Sequence, residues 1–486
     1  MVGFVFVVAD SNSGRVSKES GSFVRSHCMQ GRNKKENSRR SVREARRLAR
    51  EQAAKEVSCD ASKPVAKPAR PQRRSSDAAS ERARAVASPL PACLDSEMIH
   101  FITKDTDTYP RQIIFNWRRL REIKVDCFPA YNHLHFHDIL DEPQMHNLLM
   151  QSLAFRQSVM LTVSAYRDSH MGRSLAADTC MRYQVIFSLL NLILSNCEGS
   201  LMSELVIHIM TGLATSAVWL GHSEEIHMHV GALRRLRKAH STSYWLERPS
   251  MLYRVLCLEI AAYVCNGPAP GLFDVEISTA DIPEPPQESR KGYLVGVETV
   301  LVCVLSDLQY IAKKMESGWK QQKPLDCNTF QTLQVSIQDR LLRPITPSDP
   351  LSQCLRLGLI LFTTITTFHI PGGRNGKIKS DSYITGKYRN VCQSLDPADH
   401  PGVLVFWLLT LGVVAVFDAD EEDWLVNMWA QLADAFAVHS WEEAREVLNL
   451  VVWIELLHDN AGREAFNSLK RMAEKRHSVS LDILSM

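Results

Sequence analysis

The sequence predicts an all-α protein: a layered, multi-helix domain behind a basic, largely disordered N-terminal arm. Three observations carry that expectation. From about residue 93 onward, apolar residues recur at the three- and four-residue spacing of a helix face. No alternation of strand-like with helical runs appears there, which argues against a parallel α/β sheet. Charge is also divided along the chain. Residues 1–90 hold 20 Lys and Arg against 9 Asp and Glu, a balance of +11, which leaves −9 on the remainder of a chain totalling +2.

The four regions follow in order. Residues 1–24 open with the apolar, strand-like "GFVFVVAD" and turn through the Ser-rich "SNSGRVSKESGS". Residues 25–57 form the basic arm, a potential helix. Residues 58–92 are rich in Ala, Ser, Pro and Arg and almost free of large apolar side chains. Such a segment cannot offset the entropy of folding, so a disordered linker is expected. Residues 93–486 carry the helices. Clear runs are "NLLMQSLAFRQSVMLTVSAY" (147–166), "TCMRYQVIFSLLNLILSNC" (179–197), "LMSELVIHIMTGLATSAVWLG" (201–221) and "MLYRVLCLEIAAYVCN" (251–266). Further on come 292–315, 354–368, 401–417, 424–438 and 442–459, with Pro- and Gly-bearing connectors between them.

With 45% hydrophobic and 23% charged residues, the composition is that of a soluble globular chain. The opening "MVGFVFVVAD" lacks a charged leader segment and its apolar run is short, so no secretory signal is expected. The longest uncharged stretch, "PGVLVFWLLTLGVVAVF", contains a Pro and two Gly and reads as a helix buried between helices. No membrane span is expected. Twelve cysteines are spread along the chain without one C-x-x-C pair, which predicts free, mostly buried thiols.

One helix is marked at both ends. "SEEIHMHVGALRRLRKAH" offers Ser223 as N-cap, Glu224 and Glu225 in the first turn, and Arg234, Arg235, Arg237 and Lys238 toward the last. This charge order suits the helix macrodipole without a ligand.

Candidate chemistry is sparse. A binuclear zinc cluster needs six thiolates in tight pairs, and the adjacent His27 and Cys28 have no second pair nearby. "HLHFHD" alternates His133, His135 and His137. On a strand all three would share a face and could hold a metal, whereas on a helix only His133 and His137 do. The run follows Pro129 and leads into a helical pattern, so a helix start is expected and no metal is assigned. His227 and His229 lie on different sides of their helix. "GGRNGKIKS" (372–380) resembles a phosphate loop, but its first usable Gly is one residue too close to Gly376-Lys377, and Ile378 stands where magnesium needs a hydroxyl. No catalytic nucleophile motif occurs. The sequence therefore assigns no catalytic residue, cofactor or metal, and the chain is not expected to be an enzyme.

The basic run says more. Between Arg25 and Arg50 ten Lys and Arg face only Glu36 and Glu44. Ser41-x-x-Glu44 is a capping box that can start a helix through "VREARRLAREQAAK". Its other side offers only Val42, Ala45, Ala49 and Ala53, too little apolar surface for a core or a zipper. Arg32, Lys34, Lys35, Arg39, Arg40, Arg43, Arg46, Arg47 and Arg50 are the candidate contacts to nucleic acid or an import receptor. Three readings stay open: a nuclear import signal, a phosphate-contacting arm, and a solvated tail.

The order of these features resembles fungal-specific transcription-factor-like proteins, relatives of the fungal binuclear-zinc-cluster regulators. Phe4 to Val8, the Ser-rich turn, Arg25-Ser26-His27, Met29 and the basic run carry the likeness in the first segment. In the body, His229 and Leu233 match a His-x-x-x-Leu helix, and "LERPSMLYRVLCLEIAAYVCNGPAP" is similar to the helix-then-Pro segment after it. The zinc cluster that reads DNA in those regulators is missing here, so sequence-specific DNA contact carries over to no residue. The resemblance implies a nuclear transcription regulator whose helical body binds a protein partner or a small effector and forms a homo- or heterodimer. The alternatives are an interaction module that modulates other regulators without touching DNA, and an unrecognised helical enzyme or metal protein using His133 to His137.

Overall fold

In the computed structural model, the described residues are 95–98, 123, 127–135, 143–172, 175–195, 200–268, 292–294, 296–343, 349–370 and 377–484. All of them fall in the unit Ala92–Met486. The arm at 25–57, the segments at 1–24 and 58–92, and His137 lie outside the described residues.

The body is all-α. A 3-10 turn, Pro129–His133, leads to a two-residue strand β1, Leu134–His135. The helices of the first half are α1 (Pro143–Gln151), α2 (Leu153–His170), α3 (Ala177–Ser195), α4 (Ser200–Leu220), α5 (Ser223–Ala239), α6 (Thr242–Leu246) and α7 (Pro249–Asn266). Next come α8 (Thr299–Lys320), the two-residue strand β2 (Leu325–Asp326), α9 (Cys327–Leu342) and α10 (Pro350–Thr367). The last helices are α11 (Tyr383–Gln393), α12 (Gly402–Ala415), α13 (Asp423–Ala435), α14 (Trp441–Val451) and α15 (Glu455–Leu484). Strand β1 pairs in parallel with β2, Leu134 opposite Leu325 and His135 opposite Asp326.

Local chemistry sets these boundaries. Ser152 accepts from the Phe155 amide at 3.2 Å, which splits the apolar run 147–166 into α1 and α2. Asp326, Asp349 and Ser382 cap α9, α10 and α11 in the same way. Ser440 and Glu443 form a full capping box at α14. Pro249 sits in the first turn of α7, and Gly267 ends it at φ +82°. A Cβ on Gly267 would stand 2.8 Å from the Tyr383 ring, so glycine is needed there on both counts.

Other sequence expectations also change in detail. The run 442–459 is two helices rather than one. The chain is extended at Val452, and the carbonyls freed around the break are taken by side chains: Trp407 Nε1 donates to Val452 O at 2.6 Å and Gln309 Nε2 to Val451 O. Ser223 is the first residue of α5 rather than its cap. The cap is His222, whose side chain bonds no backbone amide; its Nδ1 meets Glu225 instead, at 2.9 Å.

Helix α7 is the hub. It packs against α4, α5, α6, α9, α10 and α11, and from Met251 to Val264 only Arg254 is not buried. Glu259 in its middle is wholly buried. It lies 3.3 Å from Arg237 and 3.8 Å from Arg234 of α5. Arg237 also reaches Asp339 of α9 at 2.9 Å, and Asp339 holds Arg343 at 2.8 Å. The basic end of α5, which the sequence explains by the macrodipole alone, thus belongs to an ion network shared by three helices. A second centre forms around α12, which contacts α10, α13, α14 and α15. From Leu404 to Val413 every residue of α12 is buried, as expected for a helix between helices. No helix among the described residues is long and apolar enough to cross a membrane.

Candidate functional site

A cavity of about 110 Å³ lies where α2, α4 and α7 meet. Its walls follow from helical spacing. Phe155, Ser158, Val159 and Thr162 form one face of α2, and His208, Thr211, Gly212, Thr215 and Trp219 form one face of α4. Helix α7 contributes Arg254, Cys257 and Leu258, with Ile123, Phe128 and Phe368 completing the described wall. The lining is largely apolar. A dry engineered cavity of about 150 Å³ holds benzene, so this space suits a ligand of similar size.

Gly212 sets how closely α2 and α4 approach. A Cβ there would stand 2.3 Å from Ser158 Oγ and 3.4 Å from Thr162 Oγ1. The threonine hydroxyls turn back on their own helices: Thr162 to Ser158 O at 2.9 Å, Thr211 to Ile207 O and Thr215 to Thr211 O at 2.7 Å each. Their protons are used within the helix.

Trp219 and His208, which also line the cavity, each carry a buried nitrogen with no protein hydrogen bond. Trp219 Nε1 is buried without a hydrogen-bond partner, while its ring meets Tyr166 edge-on at 5.4 Å. His208 Nε2 is buried without a hydrogen bond; Glu204 Oε1 stands 3.9 Å away. Burial, aided by the nearby Arg254 charge, pushes the His208 imidazole down to about 3, so it is neutral near pH 7. Burial pushes the Cys257 thiol up to about 11, against a hydrogen bond from Gln338 Nε2 at 3.3 Å. That thiol is therefore protonated and a poor nucleophile.

The residues singled out by sequence fall elsewhere. Arg32, Lys34, Lys35, Arg39, Arg40, Arg43, Arg46, Arg47 and Arg50 lie outside the described residues. The histidine run does not begin a helix. His133 ends the 3-10 turn and meets the Trp319 ring at 4.9 Å, while exposed His135 sits on β1. Pairing with β2 holds that segment extended. Among the described residues no group of three or more His, Cys, Asp or Glu is placed to hold a metal ion. His229 is buried and His227 exposed, which places them on different sides of α5. Lys377, at the end of the loop that resembles a phosphate cradle, is paired with Asp418 at 2.8 Å. Of the described cysteines, Cys127, Cys257, Cys327, Cys354 and Cys392 are buried and none is in a disulfide.

Sequence reasoning did not find the cavity residues. A signal was present: in "SVMLT" and "TGLATSAVW" small and hydroxylated residues recur every three or four positions within apolar helices. That spacing marks a close helix crossing. Which of its residues border empty space depends on α7, about 40 residues further along the chain from α4.

No family model matches the chain, and no curated protein or solved structure matches it either. The functional reading therefore stands on the residues and their geometry.

The buried histidines give a pH prediction. His208, His229 and His458 are pushed down by burial to about 3, 4 and 3. Below about pH 6.5 the unfolded chain takes up protons on these groups and the folded chain does not, so stability falls as pH falls. Each group contributes about 2 kcal/mol of loss by pH 5. Glu259, raised by burial, acts in the opposite direction. Urea unfolding at pH 7 and pH 5 is expected to show a net loss of about 3–6 kcal/mol; equal stability at both values would refute neutral burial of the three.

Proposed function

We propose that the chain is a nuclear regulatory protein whose helical body senses a small apolar effector held between α2, α4 and α7. The observation that carries this reading is the cavity, a largely apolar space of about 110 Å³ walled by three rigid helices. The basic arm supports the nuclear part. Its ten Lys and Arg over 26 residues suit an import receptor, and the same charges suit non-specific contact with DNA phosphates. The resemblance to fungal transcription-factor-like proteins points the same way. On this reading the body transmits effector binding to a protein partner or a second copy of the chain. DNA targeting would come from elsewhere, since these 486 residues hold no zinc-cluster cysteine pattern. The absence of any nucleophile motif favours sensing over catalysis.

The sensing half is tested with toluene as a neutral probe. Saturation at ten times its dissociation constant is expected to stabilise the full chain by about 1.4 kcal/mol. The cavity-filling Thr215→Phe variant should lose that response while keeping its own transition; a wild-type chain indifferent to toluene would remove the cavity from the account. The arm is tested by imaging a fluorescent fusion lacking residues 25–57. Nuclear enrichment is expected to drop to the level of the fluorescent protein alone, and unchanged enrichment would assign import to another segment.

A further inference from the structure

Two helices that pack on α7 bring a pair of thiols into contact. Cys354, in the second turn of α10, and Cys392, near the end of α11, are both wholly buried, and their Sγ atoms lie 3.2 Å apart. The contact follows from how the helices cross. One turn further along α10, Gly358 faces Tyr388, which stands one turn earlier on α11; a Cβ on Gly358 would lie 3.4 Å from Tyr388 Oη. The two pairs run in opposite order along the chain, the pattern of antiparallel helices sharing one seam. Tyr388 is fixed there by donating to Leu408 O of α12 at 2.9 Å. The same missing Cβ would stand 2.6 Å from Leu408 Cδ2, so any side chain at 358 would push α10 off this wall.

A buried cysteine packs as a small hydrophobe and needs no sulfur beside it. Direct contact between two of them adds chemistry. A disulfide has its sulfurs about 2.05 Å apart, so a shift of about 0.6 Å by each Sγ closes the bond. Burial, with Cys392 alongside, raises the Cys354 thiol well above its ordinary range, so little thiolate forms while the helices stay packed. Reaction therefore waits on α11, whose outer side is exposed at Lys387, Asn390 and Gln393 while Ile384, Tyr388 and Val391 face inward. An oxidant that enters such a seam must be small, and a peroxide is.

We propose that Cys354 and Cys392 are a redox pair, joined by peroxide in a disulfide that fastens α11 to α10. One sulfur attacks a peroxide oxygen, the O–O bond breaks, and the departing hydroxide leaves as water with that thiol's proton. The resulting sulfenic acid is attacked by the second sulfur; the S–S bond forms, the S–O bond breaks, and the hydroxyl leaves as water with the second proton. Two thiols and one hydrogen peroxide thus give one disulfide and two waters. In a reducing compartment the pair rests as thiols and bonds when peroxide rises. The bond closes a loop of about 40 residues. It also holds Tyr383, the first residue of α11, against Gly267 at the end of α7. None of this depends on the cavity.

The full chain is treated with hydrogen peroxide at a dose that modifies the exposed Cys180. Remaining thiols are alkylated in denaturant, and the unreduced digest is read by mass spectrometry. A peptide linking Cys354 to Cys392, two hydrogens lighter and released by dithiothreitol, is expected, and this readout needs no variant. Oxidation should raise the melting midpoint by about 5 °C and slow amide exchange across α11 about tenfold or more. Cys392→Ala should keep its own melting transition and lose both responses. Full alkylation of both thiols, sulfinic acid at either, or a link from either to another cysteine overturns the redox pair. A Cys354–Cys392 link that leaves α11 exchange unchanged overturns its fastening role.

Discussion

The fold depends on burying Glu259 in the middle of a helix that has no solvent side. Helix α7 is covered by six others, and a bare carboxylate there would be costly to desolvate. The compensation comes from α5, through Arg237 and Arg234, and Arg237 then needs Asp339 of α9. Trp245 Nε1 donates to the Arg237 carbonyl at 3.1 Å, which ties α6 to the same point. Apolar contacts alone would let α5, α7 and α9 slide by fractions of a turn at small cost. Ion pairs with fixed partners do not, so the network sets the register of these helices. Its net stabilisation is small, because desolvation offsets most of the attraction, but breaking one partner leaves a buried charge uncompensated.

The cavity lies beside that fixed point. Arg254, Cys257 and Leu258 occupy the turn of α7 just before Glu259, so locking Glu259 also places this wall. The opposing walls are set by Gly212, which lets α4 approach α2, while Phe155 and Trp219 are bulky enough to hold the space open. The site is thus assembled from rigid helices rather than loops, which favours a preformed pocket with little ordering cost on binding.

Much of this was legible in the sequence, because helical periodicity depends on neighbours three and four residues apart. The all-α class, the burial of α12, the burial of most described cysteines and the two-sided placement of His227 and His229 follow from local pattern. Partners distant in sequence were not legible. Arg237 reads as a favourable charge at a helix end until Asp339, about 100 residues later, is placed beside it. "HLHFHD" reads as a helix start because nothing near it reveals β2, whose Leu325 and Asp326 hold Leu134 and His135 extended. The run 442–459 reads as one helix because Trp407, which takes the carbonyl at Val452, lies on α12. The cavity was the least legible feature, since unfilled space is a property of three helices at once.

If α7 is the element on which the body is organised, its amides should be the last to open. Native-state hydrogen exchange of the full chain tests this without substitution or ligand. Amides from Leu252 to Val264 are expected to exchange only through global unfolding, with a free energy equal to that from urea denaturation. Exchange of α7 through local opening, earlier than α12 or α14, would contradict the account and place the organising core in the C-terminal helices.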